Sequence, residues 1–198
     1  IYEIYPDDSI HDLCEKVFDT AVSEILNVRS QIDQSVLEQA IQTLAKARRV
    51  EFYAFGGSAP VAMDGQHKFF RLKIPSSCIS DPHIQFMSAN SLNKEDVVVA
   101  ISQSGTTSAL VDSVKTVRES GVKVIGIMPG NTPLANICDL SLTINVGSND
   151  RLTMPLTSRL AYTAVIDVLT MGVAQLRPEA QDHLYNIADS QRSLKIDN

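Results

Sequence analysis

The chain has 198 residues, 44% of them hydrophobic, and carries a formal net charge of −6. That length supports one domain with a substantial core, and the acidic balance argues against a nucleic-acid-binding surface within it. Cys14, Cys78 and Cys138 lie far apart with no C-x-x-C pair, which argues against a zinc site or a disulfide framework and predicts buried, reduced thiols in a cytoplasmic protein.

In chain order, residues 1–7 read as an extended lead-in. Asp8 or Ser9 is placed to cap a helix running to about Gln31, with Leu13, Val17, Ala21, Ile25 and Val28 as its apolar stripe. A second helix follows from about Ser35 to Ala47. Paired helices ahead of the first strand can pack on a sheet or on a partner subunit, and the sequence leaves both open. Lys46, Arg48 and Arg49 form the densest basic group, too small for a groove-binding patch. Val50 to Phe55 is the first strand, Gly56-Gly57-Ser58 the turn after it, and Ala59 to Leu72 a helix. Taken alone, Ser58 reads as ligand residue or helix cap. His67 lies ~13 Å along that helix from the turn, which makes it a packing or surface residue.

Ile74 to Ser80 is the second strand, followed by Asp81-Pro82-His83 and a short helix over Ile84–Asn90. His83 reads as a loop histidine at a strand's carboxyl end. The stretch Val97-Val98-Val99-Ala100-Ile101 is a third strand with the apolar run of one buried on both faces. It breaks into Ser102-Gln103-Ser104-Gly105-Thr106-Thr107 and then a helix with Leu110, Val111, Val114 and Val117 at helical spacing, ending near Ser120-Gly121. A helix N-terminus offers unpaired N–H groups and the positive end of its dipole. Four hydroxyls around one glycine exceed what a cap needs, and together they suit a dianionic phosphate without a Lys or Arg.

Lys123 to Met128 is the fourth strand, Pro129–Pro133 a loop and Leu134–Cys138 a short helical turn. Asp139 to Val146 is the fifth strand, its alternation that of a sheet edge. Residues 147–153 form a polar loop carrying Asn149, Asp150 and Arg151. Met154 to Leu176 is a long helix in which only Arg159 and Asp167 are charged. Pro155 and those charges argue against a membrane span. Apolar residues around most of its circumference predict burial on two sides, one against a second subunit. Pro178 starts a more polar helix to about Lys195. The first residues do not read as a signal peptide, and the opening Ile1 suggests a piece of a longer protein.

Five strand–helix units predict one α/β domain over residues 1–198: a five-stranded parallel, doubly wound, flavodoxin-like sheet of order 2-1-3-4-5. Ligands in such sheets sit at the carboxyl ends of the strands, at the switch in strand order. The two glycine–hydroxyl turns follow the strands that meet there, and that coincidence makes Ser58 a ligand residue. The chain has neither a Walker nor a dinucleotide-binding glycine motif, and no metal-spaced cluster. No cofactor or metal is expected.

The stretch Ser102-Gln103-Ser104-Gly105-Thr106-Thr107 resembles the S-x-S-G-x-T phosphate loop of SIS (sugar isomerase) domains, and Gly56-Gly57-Ser58 the tail of their G-x-G-x-S turn, with Ala54 at the usual first glycine. Asp64–Phe70, Asp96–Ser102, Pro133–Ala135, Met154–Leu160 and Ile166–Leu169 are similar to the effector domain of RpiR-type transcriptional regulators of the HexR-like branch. The resemblance implies a dimeric, non-catalytic domain that senses a phosphorylated sugar or sugar acid, 2-keto-3-deoxy-6-phosphogluconate in HexR-like members. It also implies DNA binding through an N-terminal helix-turn-helix domain absent from this chain. Gly57, Ser58, Ser102, Gln103, Ser104, Gly105, Thr106 and Thr107 are the expected ligand residues, and the Met154–Leu176 helix the dimer contact. A sugar-phosphate isomerase is the alternative. It needs a base near the sugar's C1 and C2, for which Asp150 and His83 are the candidates.

Overall fold

The structure is a computed structural model, which describes residues 4–145, 158–180, 182–184 and 187. Five parallel strands form one sheet: β1 (Arg49–Ala54), β2 (Ser76–Ile79), β3 (Asp96–Ile101), β4 (Lys123–Met128) and β5 (Leu140–Thr143), in the order β2-β1-β3-β4-β5. The expected topology is the observed one. The two edge strands are shorter than the sequence implied: residues 74–75 and 80 fall outside β2, and β5 stops at Thr143.

Every residue of β3 is buried, as a central parallel strand requires. Its side chains alternate between two cores. Val97, Val99 and Ile101 join Phe52, Ala54, Ile125 and Ile127 on one face. Val98 and Ala100 join Tyr53, Val124 and Met128 on the other.

The first face is covered by α2 (Gln34–Lys46), α3 (Ala59–Arg71) and α6 (Ser158–Leu176), the second by α4 (Pro82–Ala89) and α5 (Ser108–Glu119). α1 (Ile10–Gln31) packs on α6. Local chemistry accounts for the helix starts. Ser9 and Asp12 form a reciprocal capping box on α1. The Asp33 carboxylate accepts from the N–H groups of Ser35 and Val36 at 2.8 and 3.1 Å, and Asp81 accepts from Ile84 N–H at 2.9 Å. α3 packs so close to the sheet that a Cβ on Gly65 would meet the Phe52 ring at 2.6 Å.

One expectation about helix faces changes. The stripe read for α1 is only partly inward: Ala21 and Val28 are buried, Leu13 and Ile25 half-buried, and Val17 exposed. A second row, Ile10, Cys14, Phe18, Val22 and Leu26, spaced four apart, faces solvent. α6 buries Ala161, Tyr162, Val165, Ile166, Leu169 and Val173 but leaves Leu160, Val168, Met171 and Leu176 exposed. Residues 154–157, the polar loop with Asp150 and most of the last predicted helix lie outside the described residues.

Among the described residues no helix is long and apolar enough to cross a membrane, and no group of three His, Cys, Asp or Glu residues could hold a metal ion. The cysteines are free, but Cys14 is exposed, not buried as expected. Burial, with the Asp139 charge beside it, pushes the Cys138 thiol up to about 12.

Candidate functional site

Pairing of β1 with β3 runs through Ala54 opposite Ile101. The two strands therefore release their chains side by side at the carboxyl end of the sheet. On the β1 side a 3-10 turn, Gly56–Ser58, leads into α3; Gly56 has φ +52°, a conformation that glycine adopts without strain. On the β3 side residues 102–107 lead into α5. Between them lies a cavity of about 260 Å³, lined by Gly57, Ser58, Ser102, Gln103, Ser104 and Thr107 with Phe55, Ile101 and Leu110. Among the described residues, no Lys or Arg side chain joins that lining.

Ser58 is 6% exposed, and although it stands at the start of α3 its hydroxyl caps nothing. Thr107 occupies the N-cap position of α5 and makes no side-chain cap bond either. Neither hydroxyl is thus spent as a cap, and among the described residues the first-turn N–H groups of α5 have no side-chain cap. Gln103 has its amide Nε2 buried with no hydrogen-bond partner. A buried, unpaired amide donor costs about 1–3 kcal/mol, so an acceptor placed beside it by a ligand recovers that cost.

The remaining loop groups are engaged internally. Ser102 is 5% exposed, and its Oγ accepts from Gly105 N–H at 2.9 Å. Ser104 Oγ accepts from Thr106 N–H at 3.3 Å and from Thr106 Oγ1 at 3.1 Å. An anion entering here competes for two backbone donors that the loop already satisfies, while Ser102 keeps its own O–H proton to donate.

Gly105 and Thr106 belong to this loop but not to the lining. Gly105 was expected among the ligand residues, and its surroundings give another reason for glycine. Its φ is +66°, and a Cβ there would fall 2.6 Å from the Cβ of Thr132. Leu134 N–H donates to Gly105 C=O at 3.1 Å, so the loop after β4 buttresses the loop after β3. A second brace is Tyr162 of α6, whose hydroxyl donates to Ser102 C=O at 3.5 Å. Neither Thr132 nor Tyr162 was legible in sequence, because each acts from a distant segment. Phe55 stands directly before the glycine turn, and that adjacency was the available signal for it. His67 is exposed on α3, and His83, exposed in the first turn of α4, does not line the cavity.

The model of the SIS domain matches residues 43–172. The chain is 34% identical over 192 residues to the HTH-type transcriptional regulator HexR of Escherichia coli, a match covering 96% of this chain and 66% of that protein. It is 38% identical over 172 residues to the bifunctional protein glk of Burkholderia thailandensis, covering 87% of this chain and 27% of the relative. The chain thus spans about two thirds of the first relative and about a quarter of the second. Among solved structures, the Vibrio vulnificus NanR protein complexed with ManNAc-6P superposes with a TM-score of 0.88 at 20% identity, covering 95% of this chain and 72% of that one. The sugar isomerase domain of an RpiR transcription factor from Sphaerobacter thermophilus follows at 0.78 and 20%, covering 89% and 98%. The family model spans more than half of the chain, and the HexR match runs over nearly all of it: this chain belongs to the SIS domain family and is similar in sequence to the HexR transcriptional regulators.

Proposed function

We propose that this domain captures a phosphorylated sugar or sugar acid between its two glycine–hydroxyl turns and senses it without converting it. The observation that carries the reading is the cavity at the β1–β3 switch point: hydroxyls of Ser58, Ser102, Ser104 and Thr107 converge with the unpartnered Gln103 amide, next to the positive end of α5. Phosphate takes the hydroxyls of the β3 loop and the open N–H groups of α5. Ser58 and Gln103 reach the sugar part or a remaining phosphate oxygen. The HexR-like resemblance implies 2-keto-3-deoxy-6-phosphogluconate as the first ligand to try, and the ManNAc-6P named for the NanR structure supports the ligand class.

In the full-length protein, ligand binding would bias the geometry of a dimer and so the spacing of attached DNA-binding domains. The exposed apolar residues of α1 and α6, two helices in contact, favour a second copy as their cover. Phe18 is 70% exposed and Met171 67%, with Val22 and Leu26 also exposed on α1 and Val168 on α6.

Isomerisation needs a base positioned at C1 or C2 in addition to phosphate capture. His83 does not line the cavity, and Asp150 lies outside the described residues. Incubating the protein with sugar phosphates in deuterium oxide tests sensing against catalysis. The proposal expects binding with no solvent deuterium at C1 or C2 beyond a protein-free control. Exchange that Asp150→Asn or His83→Asn abolishes would make the domain an isomerase.

A further inference from the structure

Sequence spacing left Lys46, Arg48 and Arg49 as a small basic group, but the fold enlarges it. At the amino ends of β3, β4 and β5, the end of the sheet opposite the phosphate loop, lies a second and larger cavity of about 530 Å³. One wall is α2, contributing Gln39, Gln42, Thr43 and Lys46; the others bring Lys94 and Lys123. Two backbone links hold these segments together. Arg48 N–H donates to Glu95 C=O at 2.9 Å, and Asp139 N–H donates to Val124 C=O at 2.9 Å.

The charges around this cavity do not cancel. Asp96 is fully buried and committed: it faces Arg48 at 2.8 Å and Arg49 at 3.5 Å and accepts from Asn93 N–H at 3.0 Å. Asp139 is committed likewise, to Arg118 and Lys123 at 3.4 Å each and to Val124 N–H at 2.9 Å. Glu51 balances Arg49 at 3.5 Å. Glu95 is then the one carboxylate of the wall without an ion pair among the described residues, whereas the ammonium groups of Lys46 and Lys94 have none and Lys123 shares its partner with Arg118. The lining itself holds three lysines and three carboxylates, but Arg48, Arg49 and Arg118 from outside it neutralise Asp96 and Asp139. That leaves Lys46 and Lys94 against Glu95, with Glu38 at the edge on the Gln42 amide, in a chain of net charge −6.

We infer that this cavity is a second anion site, for a small polyanion of nucleotide size, distinct from the sugar-phosphate site and about 20 Å from it along β3. Lys46, Lys94 and Lys123 meet the phosphate charges. The amides of Gln39 and Gln42 and the hydroxyl of Thr43 offer neutral donors and acceptors to the uncharged part. The volume lies within the range of small-molecule sites. Because α2 forms one wall here and packs on α6, whose Tyr162 braces the phosphate loop, a ligand in this cavity has a physical route to the first site.

Inorganic tripolyphosphate and ATP are the probes, titrated at constant ionic strength and followed by amide NMR shifts. The inference expects saturable shifts centred on Lys94–Val97 and Lys123, weakened about tenfold or more in Lys46→Gln/Lys94→Gln and unchanged in Ser102→Ala. Both lysines are exposed, so the double variant keeps its fold, which unchanged sugar-phosphate binding by that variant verifies. Shifts centred on Ser102–Thr107, wild-type affinity in the lysine variant, or no saturation at millimolar probe would each overturn it. Preferential binding of poly-glutamate over both probes would make the hollow a protein-docking surface and overturn it equally.

Discussion

Ser102 carries the heaviest load of any single side chain in this account. Its Oγ both holds Gly105 N–H and faces the cavity. Replacement by Ala removes a hydrogen bond to a charged ligand and leaves a buried N–H without its acceptor. The expected loss is ~1.5–3 kcal/mol in sugar-phosphate affinity, with a smaller fall in stability, both measurable by calorimetry. Gly105→Ala acts differently. Its left-handed backbone costs a non-glycine residue about 1–2 kcal/mol, and the new methyl meets Thr132. Chemical denaturation should show a stability loss of at least that size. A variant as stable as wild type would mean that the two loops do not pack as described. Thiol chemistry checks the burial assignments. Cys14 is exposed, while the Cys138 thiol is pushed up to about 12 by burial and by Asp139. Iodoacetamide in mildly alkaline buffer should therefore modify Cys14 first and Cys138 last, since the thiolate is the reactive form.

At the scale of elements, close helix contact is what holds α6 in place under the phosphate loop. A Cβ on Gly172 of α6 would fall 2.8 Å from Cγ1 of Ile41 on α2. Gly172→Leu should cost about 1–3 kcal/mol through overpacking, lower the thermal midpoint and weaken sugar-phosphate binding as the Tyr162 brace shifts. Stability unchanged by this substitution would contradict the packing. What was legible in sequence divides along physical lines. Strands β3 and β4 announce themselves by near-continuous apolar runs, β1 by an apolar run broken by Glu51, and both glycine–hydroxyl turns by local composition, because burial on two faces and tight turns constrain neighbouring residues. The edge strands were overextended, since Ile74 and Ile144 are buried next to β2 and β5 without belonging to them. The outer row of α1 went unread because Leu13, Val17 and Ala21 offered a competing period on the same helix. Thr132, Tyr162 and the basic hollow depend on segments tens of residues apart, and no local pattern encodes them.

For the whole molecule, one face of the sheet bears a layer of helices whose outer surface is still apolar, with Phe18, Val22 and Leu26 on α1 and Leu160, Val168 and Met171 on α6. Dimerisation through this face predicts a sedimentation velocity of a two-copy species at micromolar concentration, shifted to monomer by Phe18→Asp/Met171→Asp with the fold retained by circular dichroism. A monomeric wild type would leave that surface to another partner.

The central claim, phosphate capture at the β1–β3 switch point, is tested most directly by isothermal titration. The ligands are phosphorylated sugars and sugar acids, beginning with 2-keto-3-deoxy-6-phosphogluconate, each paired with its dephosphorylated counterpart. The account predicts saturable binding of at least one phosphorylated ligand, none of its dephosphorylated form, and a loss of about tenfold or more in both Ser58→Ala and Ser102→Ala. Binding that ignores the phosphate, or that both variants retain at wild-type affinity, would contradict it.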